Sequence, residues 1–200
     1  MGDLVSIATR AECPSRDILR FGLVQSTPEL TAMSGAPQDR RWHPEGDVLS
    51  HSLLAADAAV CVLSSGDYSP ARRVVVVLAA LLHDVGKPDT THLKGGRWTA
   101  YGHAEHGAAL TQRMGARLSW PRDLQEPVGV LVATHMAVAS VRGEPSARAV
   151  RRLSQRLECS GSSLIEWAAV VEADGAARGE GSVTGRSLPW LRVSAQAGGS

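Results

Sequence analysis

The fold is decided by the stretch Leu78-Ala-Ala-Leu-Leu-His83-Asp84-Val-Gly86-Lys87-Pro88, in which an apolar run that predicts a buried helix ends in an adjacent histidine and aspartate. An imidazole and a carboxylate at a helix end can reach one cation from two directions, whereas neighbours within a helix point about 100° apart. Gly86 lets the chain leave the helix, and Pro88 prevents the helix from resuming. Lys87 offers a cationic head to an anion beside such a cation. The pair predicts a metal site if further ligands join it.

Length and composition favour a single helical domain. The chain has 200 residues, of which 44% are hydrophobic, enough to bury a core. Aromatic residues make up only 4%, so leucine, valine and alanine must fill that core, which favours packing of helix on helix. The formal net charge of +1 indicates no overall field for a nucleic acid or a membrane, although it leaves a local patch open.

The cysteines and the apolar runs indicate in which cellular compartment the protein is expected to lie. Cys13, Cys61 and Cys159 are odd in number and share no short spacing, which is typical of reduced thiols in a cytosolic protein. No basic segment followed by an apolar core marks a signal peptide, and the longest apolar run, Val74 to Leu82, is too short to span a bilayer. We therefore expect a soluble cytoplasmic protein with no membrane partner.

Hydrophobic periodicity and capping residues predict the domain organisation. Residues 1–40 are interpreted as an N-terminal helix and loop, with a helix over Ser15 to Val24, residues 41–180 as the main domain, and residues 181–200 as a C-terminal tail. Asp89 to Thr99 is predicted to be a loop that could lie over a site. The main domain is predicted to contain helices over Val48 to Ser64, Ala71 to Leu82, Tyr101 to Leu118, Pro121 to His135 with a kink or division at Pro127, Pro145 to Leu157, and Ser162 to Asp174.

All seven histidines lie between His43 and His135, most of them on or beside these helices. Each one alone is more simply a satisfied polar side chain than a ligand. The joint pattern differs, because it places His51, the pair His83-Asp84, His103, His135 and Asp174 on successive helices. Imidazole and carboxylate donors without a thiolate suit Mn, Fe, Co, Ni or Mg better than a structural zinc site.

The order His51, His83-Asp84, Asp174 resembles the signature of the HD superfamily of metal-dependent phosphohydrolases. The likeness extends to His43-Pro-Glu-Gly-Asp-Val-Leu-Ser-His51, Leu82-His-Asp-Val-Gly-Lys-Pro88, Tyr101-Gly-His103, and Glu172-Ala-Asp174 with Arg178. These motifs are similar to those of the HD domain attached to CCA-adding tRNA nucleotidyltransferases, and they cover about residues 40 to 180.

The resemblance implies an all-α HD-domain helical bundle with His51, His83, Asp84 and Asp174 as ligands of a first divalent metal. In the binuclear branch two further histidines hold a second cation and the aspartate of the pair bridges both. His103 and His135 fit those two positions in order. One or two ions remain open, because mononuclear members keep such histidines for substrate binding.

Two residues are candidates for catalysis. Asp84 could orient the attacking water or accept its proton, and Lys87 could pair with a phosphate oxygen, the alternative being a solvated lysine at a helix end. Arg97 and His106 join Lys87 as candidates for substrate binding, although His106 could equally support His103 or face solvent. His43 and Glu45 belong to the motif that precedes the first ligand helix and are expected to lie next to the metal ligands without contacting the metal.

The implied function is hydrolysis of a phosphoester on a small phosphorylated or nucleotide-like substrate, with 2′,3′-cyclic phosphates and nucleoside monophosphates as candidates. Two alternatives remain open: a non-catalytic module that binds RNA or a partner protein, and a di-iron oxygenase. RNA contact could come from the predicted arginine-rich helix, whose arginines are otherwise a solvated face, and the oligomeric state stays open. The forty residues before the HD motifs contain no glycine-rich nucleotide motif, so we expect this chain not to add CCA alone.

Overall fold

A computed structural model describes residues 3–66, 68–179 and 182–198. The described residues are almost entirely helical, which confirms the all-α prediction. The exceptions are a hairpin of two short antiparallel strands, β1 His92–Lys94 and β2 Arg97–Thr99, and a 3₁₀ helix, His135–Ser140. The helices are α1 Leu4–Arg10, α2 Pro14–Arg20, α3 Leu23–Ser26, α4 Pro28–Met33, α5 Val48–Ser64, α6 Pro70–Leu82, α7 Lys87–Thr90, α8 His103–Arg117, α9 Arg122–Thr134, α10 Ala147–Cys159, α11 Leu164–Ala176 and α12 Leu188–Gly198.

Helix α6 is the centre of the bundle. Every residue from Val74 to Leu82 is buried, and α1, α5, α9 and α11 pack around it. Ser69 caps the helix by accepting the N–H of Arg72, and Pro70 occupies its first turn. Because this apolar helix is buried on all sides up to its last residue, the residues that follow Leu82 are buried as well.

The turn after α6 lies directly against α8 because both segments have a glycine at the crossing. A Cβ on Gly86 would lie 2.2 Å from the carbonyl oxygen of His103 and 2.6 Å from the N atom of Gly107. A Cβ on Gly107 would lie 3.2 Å from the N atom of Gly86. The two backbones can approach this closely only without side chains, and the approach brings His103 to the end of α6.

The N-terminal segment differs from the sequence-based expectation. Residues 1–14 show no clear period and were expected to form no element, yet residues 4–10 form α1, whose Leu4 and Ile7 are buried. The predicted loop over Asp89 to Thr99 contains the hairpin, with paired backbone from His92 to Thr99. Pro127 lies within α9 and does not divide it. Short elements such as these are stabilised by tertiary packing, which local periodicity does not reveal.

The segment predicted to be a C-terminal tail contains a helix, α12. Trp190 of α12 is buried, and its ring lies 5.3 Å from that of Trp167 in α11. Glu172 accepts the N–H of Gly185 and the hydroxyl of Ser187, and so fixes the connection before α12. Residues 1 and 2 of the predicted N-terminal segment, residue 180 at the end of the predicted main domain, and residues 181, 199 and 200 of the predicted tail lie outside the described residues. The division at residues 40 and 180 stays a prediction.

No helix in the described part of the chain combines the length and the apolar character needed to cross a membrane. Cys13, Cys61 and Cys159 are all free, in agreement with the prediction of reduced thiols. The helical bundle that carries the histidine and aspartate motifs is therefore held together without a covalent crosslink among these cysteines.

The glycine crossing gives a first prediction. Gly86→Ala should lower the free energy of unfolding by about 1–3 kcal/mol, because the added methyl group has backbone atoms on the other side. Gly129→Ala is the matched control: it lies in α9 with only the flexible side chain of Gln112 at 3.6 Å, so the change should be neutral or stabilising. Urea unfolding of the chelator-treated proteins, followed by circular dichroism, measures both. Equal stability of the two variants would contradict this account of the crossing.

Candidate metal centre

The first group of converging side chains comes from three helices. His51 lies in the second turn of α5, His83 follows α6, and Asp174 lies near the end of α11. The Nε2 atom of His51 is 3.1 Å from Oδ1 of Asp174 and 3.2 Å from Nε2 of His83. His83 Nε2 is in turn 3.2 Å from Oδ2 of Asp84. Four ligand atoms thus surround one point at the end of α6.

A second group adjoins the first. His103 opens α8, and His135 is the first residue after α9. Their Nε2 atoms are 3.2 Å apart, and Oδ1 of Asp84 lies 3.3 Å from the Nε2 of His103 and 3.8 Å from that of His135. Asp84 therefore faces the first group with Oδ2 and the second with Oδ1, the arrangement that a carboxylate bridging two cations requires.

The tautomers of three of these histidines are set by their own helices. His83, His103 and His135 each place Nδ1 against the carbonyl oxygen three residues earlier, at 2.8, 2.6 and 2.8 Å. A carbonyl only accepts, so Nδ1 carries a proton, and the neutral form of each ring keeps its lone pair on Nε2. His135 and Asp84 are each 2% exposed. The lone pairs therefore point at one another in a buried space, which is unfavourable unless a cation lies between them.

The spacing of the ligand atoms fits such a cation. With bonds of about 2.1 Å, adjacent ligands of an octahedral ion are about 3.0 Å apart. The closest separations in the two groups run from 3.1 to 3.3 Å. All the donors are nitrogen or oxygen, so the set suits Mn, Fe, Co, Ni or Mg. The residues present fit divalent metal ions, with two groups available to hold them.

His51 is oriented from behind by a carboxylate. Its Nδ1 lies 2.5 Å from Oε1 of Glu45, and the same oxygen lies 2.9 Å from Nδ1 of His43. Burial would raise the pKa of Glu45, but the contacts with His51 and with its own backbone outweigh it and lower the pKa to about 2. Glu45 is therefore ionised and holds the His51 ring with Nε2 toward the centre, the carboxylate–histidine arrangement typical of metal sites.

Two cations neutralise the buried carboxylates. Lys87 Nζ lies 2.6 Å from Oδ2 of Asp84, and Arg178 donates from Nη2 to both oxygens of Asp174 at 3.1 and 3.3 Å. Burial opposes ionisation of Asp84, yet His83 and Lys87 hold its pKa well below the usual range. The pKa of His43 falls to about 4 through burial and the charge of Lys87. Both aspartates are thus anionic and able to ligate a metal.

The two groups form the floor of a cavity of about 580 Å³. Asp84, His103, His135 and Asp174 line its base. Three buried donor atoms around it have no hydrogen-bond partner among the described residues, and all three residues line the cavity: Gln38 Nε2, Thr91 Oγ1 and Arg178 Nε. Buried donors are nearly always paired in proteins, so these atoms indicate that the cavity takes a ligand rich in acceptors.

The structure brings together the predicted ligands His51, His83, Asp84, His103, His135 and Asp174, with Lys87 beside them. It places the other two predicted binding residues elsewhere. His106 lies on the surface, where Nε2 contacts Asp89 at 2.7 Å, and Arg97 lies on β2 and lines a neighbouring groove. Side chains three residues apart on a helix point in directions that differ by about 60°, so His106 points only approximately in the direction of His103.

Sequence reasoning missed two polar residues of the cavity. Arg178 was part of a motif without a role, although its position four residues after Asp174 places both on one helix face and could have signalled the pair. Gln38 accepts a hydrogen bond from Nζ of Lys87 through Oε1 at 2.6 Å, and its Nε2 has no partner among the described residues. It lies in an irregular segment, where no periodicity gives a signal.

Comparison with known proteins identifies the family of this chain. A protein-family model described as "HD domain" matches residues 48–161, more than half of the chain. A "Multifunctional CCA protein" of Teredinibacter turnerae is 41% identical over 110 residues, covering 54% of this chain and 24% of that protein. The corresponding protein of Methylobacillus flagellatus is 32% identical over 183 residues, covering 88% and 41%. That of Nitrosococcus oceani is 31% identical over 178 residues, covering 86% and 40%.

These comparisons confirm the resemblance inferred from the histidine and aspartate motifs. The chain spans less than half the length of these relatives, so their likeness concerns the part that matches. The family match begins at residue 48 and therefore includes His51, His83, Asp84, His103 and His135, whereas Asp174 lies beyond it. The convergence of Asp174 with His51 is a finding of the structure.

Proton release on metal binding gives a second prediction. Burial would lower the pKa of His51, but the contacts with Asp174 and Glu45 outweigh it and raise the pKa to about 9 in the metal-free protein. A protonated imidazole cannot ligate, so a cation must displace that proton, and affinity should rise about tenfold per pH unit up to about pH 9. His135, whose pKa burial and His83 lower to about 3, is already neutral and releases none.

Calorimetry of Mn²⁺ binding in two buffers of different ionisation enthalpy counts the protons released. We expect about one proton from His51 at pH 7.5 in the native protein and in the exposed-site control His106→Ala. Binding that releases no proton, with an affinity independent of pH, would contradict the charge state derived for His51.

Proposed function

Because the chain belongs to the HD domain family, within a superfamily of metal-dependent phosphohydrolases, we propose that it hydrolyses a phosphoester of a nucleotide-like substrate. A 2′,3′-cyclic phosphate and a nucleoside monophosphate are the candidate substrates. One observation carries the proposal: Asp84 presents one oxygen to each of two ligand groups at the base of a cavity. That arrangement serves two adjacent cations, the number that stabilises both the attacking and the leaving oxygen in phosphoryl chemistry.

Divalent ions held by the two groups would lower the pKa of a bound water and neutralise charge on the phosphoryl oxygens. The chain supplies the remaining functions. Asp84 and Asp174 are kept ionised by Lys87 and Arg178, so they hold cations at neutral pH. The buried position of the ligands excludes bulk water, which strengthens each charge interaction in the cavity.

Positive and donor groups surround the place where a phosphate would lie. Lys87, Arg178 and Arg186 line the cavity together with Gln38 and Thr91. Lys87 would pair with a non-bridging phosphate oxygen, while the unpartnered donors Gln38 Nε2 and Thr91 Oγ1 would satisfy further oxygens. A phosphate monoester or diester presents the acceptors that these groups require.

The aromatic residues at the mouth of the cavity favour a substrate in which the phosphate is attached to a nucleoside rather than to an alkyl group. Trp42, Trp98 and Tyr101 line it and are 55%, 39% and 82% exposed, whereas the other three tryptophans are largely buried or form the core. The chain has five tryptophans and two tyrosines, so exposed aromatic surface is concentrated at this mouth. Aromatic side chains beside a phosphate site provide stacking surfaces for bases. The relatives' description as CCA proteins agrees with a nucleotide substrate.

A di-iron oxygenase is a second candidate, favoured by the convergence of His103 and His135 with Asp84, since that chemistry needs both metal positions. Oxygen consumption separates the two, because hydrolysis proceeds equally well without oxygen. The binding-module alternative predicts no turnover with any metal. Phosphate release under anaerobic conditions would therefore exclude both alternatives as the main activity.

Removal of the bridging carboxylate gives the third prediction. Asp84→Ala should lose metal at both positions and lower the rate of phosphoester hydrolysis by a factor on the order of 10³, since both ligand groups lose an oxygen. Asp123→Ala is the matched control, because Asp123 is exposed in the first turn of α9 and does not line the cavity. Mass spectrometry counts the metals, and p-nitrophenyl phosphate, bis-p-nitrophenyl phosphate and a 2′,3′-cyclic nucleotide report turnover. Native protein that stays inactive with added Mn, Fe, Co, Ni or Mg would refute the hydrolase.

The two lysines of the chain give the fourth prediction. Lys87→Gln should lower kcat/KM by about 10- to 100-fold, because a charge-assisted contact to the phosphate is lost. Lys94→Gln removes the same charge from the exposed hairpin and should leave kcat/KM unchanged. Metal content is measured in parallel. If both variants behave alike, Lys87 has no role in binding the phosphate.

A further inference from the structure

A second groove adjoins the metal cavity, between residues 37–47 and the β-hairpin. The two share four lining residues, Pro37, Gln38, Asp39 and Trp98. The groove measures about 730 Å³ and the cavity about 580 Å³, so each is large enough for a nucleotide-sized ligand. A ligand longer than one nucleotide could therefore extend from the metal centre into the groove.

Three arginines, Arg40, Arg41 and Arg97, line this groove, and we refer to it as the arginine groove. All three side chains are exposed, and none forms an ion pair within the part of the chain that the structure describes. The guanidinium of Arg41 lies over the ring of Trp42 at 5.5 Å, which holds it at the boundary with the cavity. Three guanidinium groups that form no described ion pair and line one groove favour an anion with several acceptor oxygens.

The two carboxylates that line the groove, Asp39 and Asp47, are held by backbone N–H groups and not by the arginines, and the three guanidinium groups outnumber them. Asp47 accepts the N–H of Ser50 at 2.8 Å and that of Gly35 at 2.6 Å. Asp39 accepts the N–H of Arg41 at 3.0 Å. These carboxylates serve as caps for a helix and a turn, and the arginine side chains remain available to a ligand.

The wall shared by the groove and the cavity offers a donor and an aromatic face. Gln38 is 8% exposed; its Oε1 accepts from Lys87, while its Nε2 has no partner among the described residues. Leaving such a donor unpaired costs about 1–3 kcal/mol, which contact with a phosphate or sugar oxygen would remove. Trp98 lines both spaces and keeps 39% of its surface exposed.

We propose that the arginine groove binds a second phosphate of the substrate, and that the substrate is the phosphorylated end of a single-stranded oligonucleotide. The terminal phosphate lies at the metal centre, the terminal nucleoside contacts Gln38 and Trp98 at the shared wall, and the preceding phosphate meets the three arginines. Arginine contacts to the backbone together with stacked bases are the usual means of holding a single strand. This inference rests on the proposed function, since it assigns the terminal phosphate to that site.

A series of three substrates tests the second phosphate: uridine 2′,3′-cyclic phosphate, the same nucleotide with an added 5′-phosphate, and the uridine dinucleotide that ends in the cyclic phosphate. The second and third carry a phosphate at the same 5′ oxygen, but only the third has a second nucleoside. We expect kcat/KM for the dinucleotide to exceed that for the mononucleotide by about tenfold or more. If the 5′-phosphorylated mononucleotide gains as much, the substrate is a nucleoside bisphosphate, and the oligonucleotide assignment is overturned.

Two triple variants locate the effect. R40A/R41A/R97A should bring the dinucleotide-to-mononucleotide ratio of kcat/KM close to one. R148A/R152A/R156A removes the same charge from the exposed face of α10, away from both spaces, and should keep the native ratio. A native ratio near one, a ratio that survives the groove variant, or a ratio that falls equally in both variants overturns the proposal.

Binding without turnover separates this inference from the proposed hydrolase. Anisotropy of a fluorescein-labelled hexauridylate with a 3′-phosphate, with Mn²⁺ present, should show a Kd about tenfold higher for the groove variant than for the α10 variant. Groove-dependent binding without hydrolysis of either the cyclic or the monoester substrates supports the groove and refutes the hydrolase. Turnover of mononucleotides with equal oligonucleotide binding by both variants supports the hydrolase and overturns the groove.

Discussion

The buried carboxylate of Asp84 is the constraint on which this structure depends. An anion that is only 2% exposed is stable only with positive charge beside it, and Lys87 together with the histidine groups provides the place for that charge. The ligands are recruited mainly from helix ends: His83 and Asp84 after α6, His103 at the start of α8, and His135 after α9. At a helix end a side chain can point along the axis, so several helices can converge on one point without crossing through it.

The same local contact then fixes the ligands of three helix ends. His83, His103 and His135 each donate from Nδ1 to the carbonyl oxygen three residues earlier, so each ring is held by its own backbone. His51 lies within α5 and has no such carbonyl available, since helix hydrogen bonds occupy them, and Glu45 takes over that role from outside the helix. The centre is thus preorganised by contacts that do not depend on the metal.

The sequence predicted the parts of the molecule that long apolar periods and motif spacing determine. Helix α5 was predicted with its observed bounds, and α6 to within one residue, because both are long and buried. The convergence of His51 with Asp174 could be inferred only through the family resemblance, since 123 residues separate them. The position of Arg97 on a neighbouring groove and that of Gln38 beside Lys87 could not be predicted, because both depend on how irregular segments fold against one another, which no local pattern encodes.

The metal ligands and the residues that would contact a substrate come from different parts of the fold, and this separation has a chemical consequence. Helix ends packed on the core supply the metal ligands, whereas residues 37–42 and the hairpin with its neighbours Ala100 and Tyr101 supply about half of the other residues that line the two spaces. Changes in those residues alter which phosphoester fits without moving Asp84 or the histidines. The same set of metal ligands can therefore serve substrates of different length. In this chain the two adjoining spaces, one with metal ligands and one with arginines, favour a substrate that spans both.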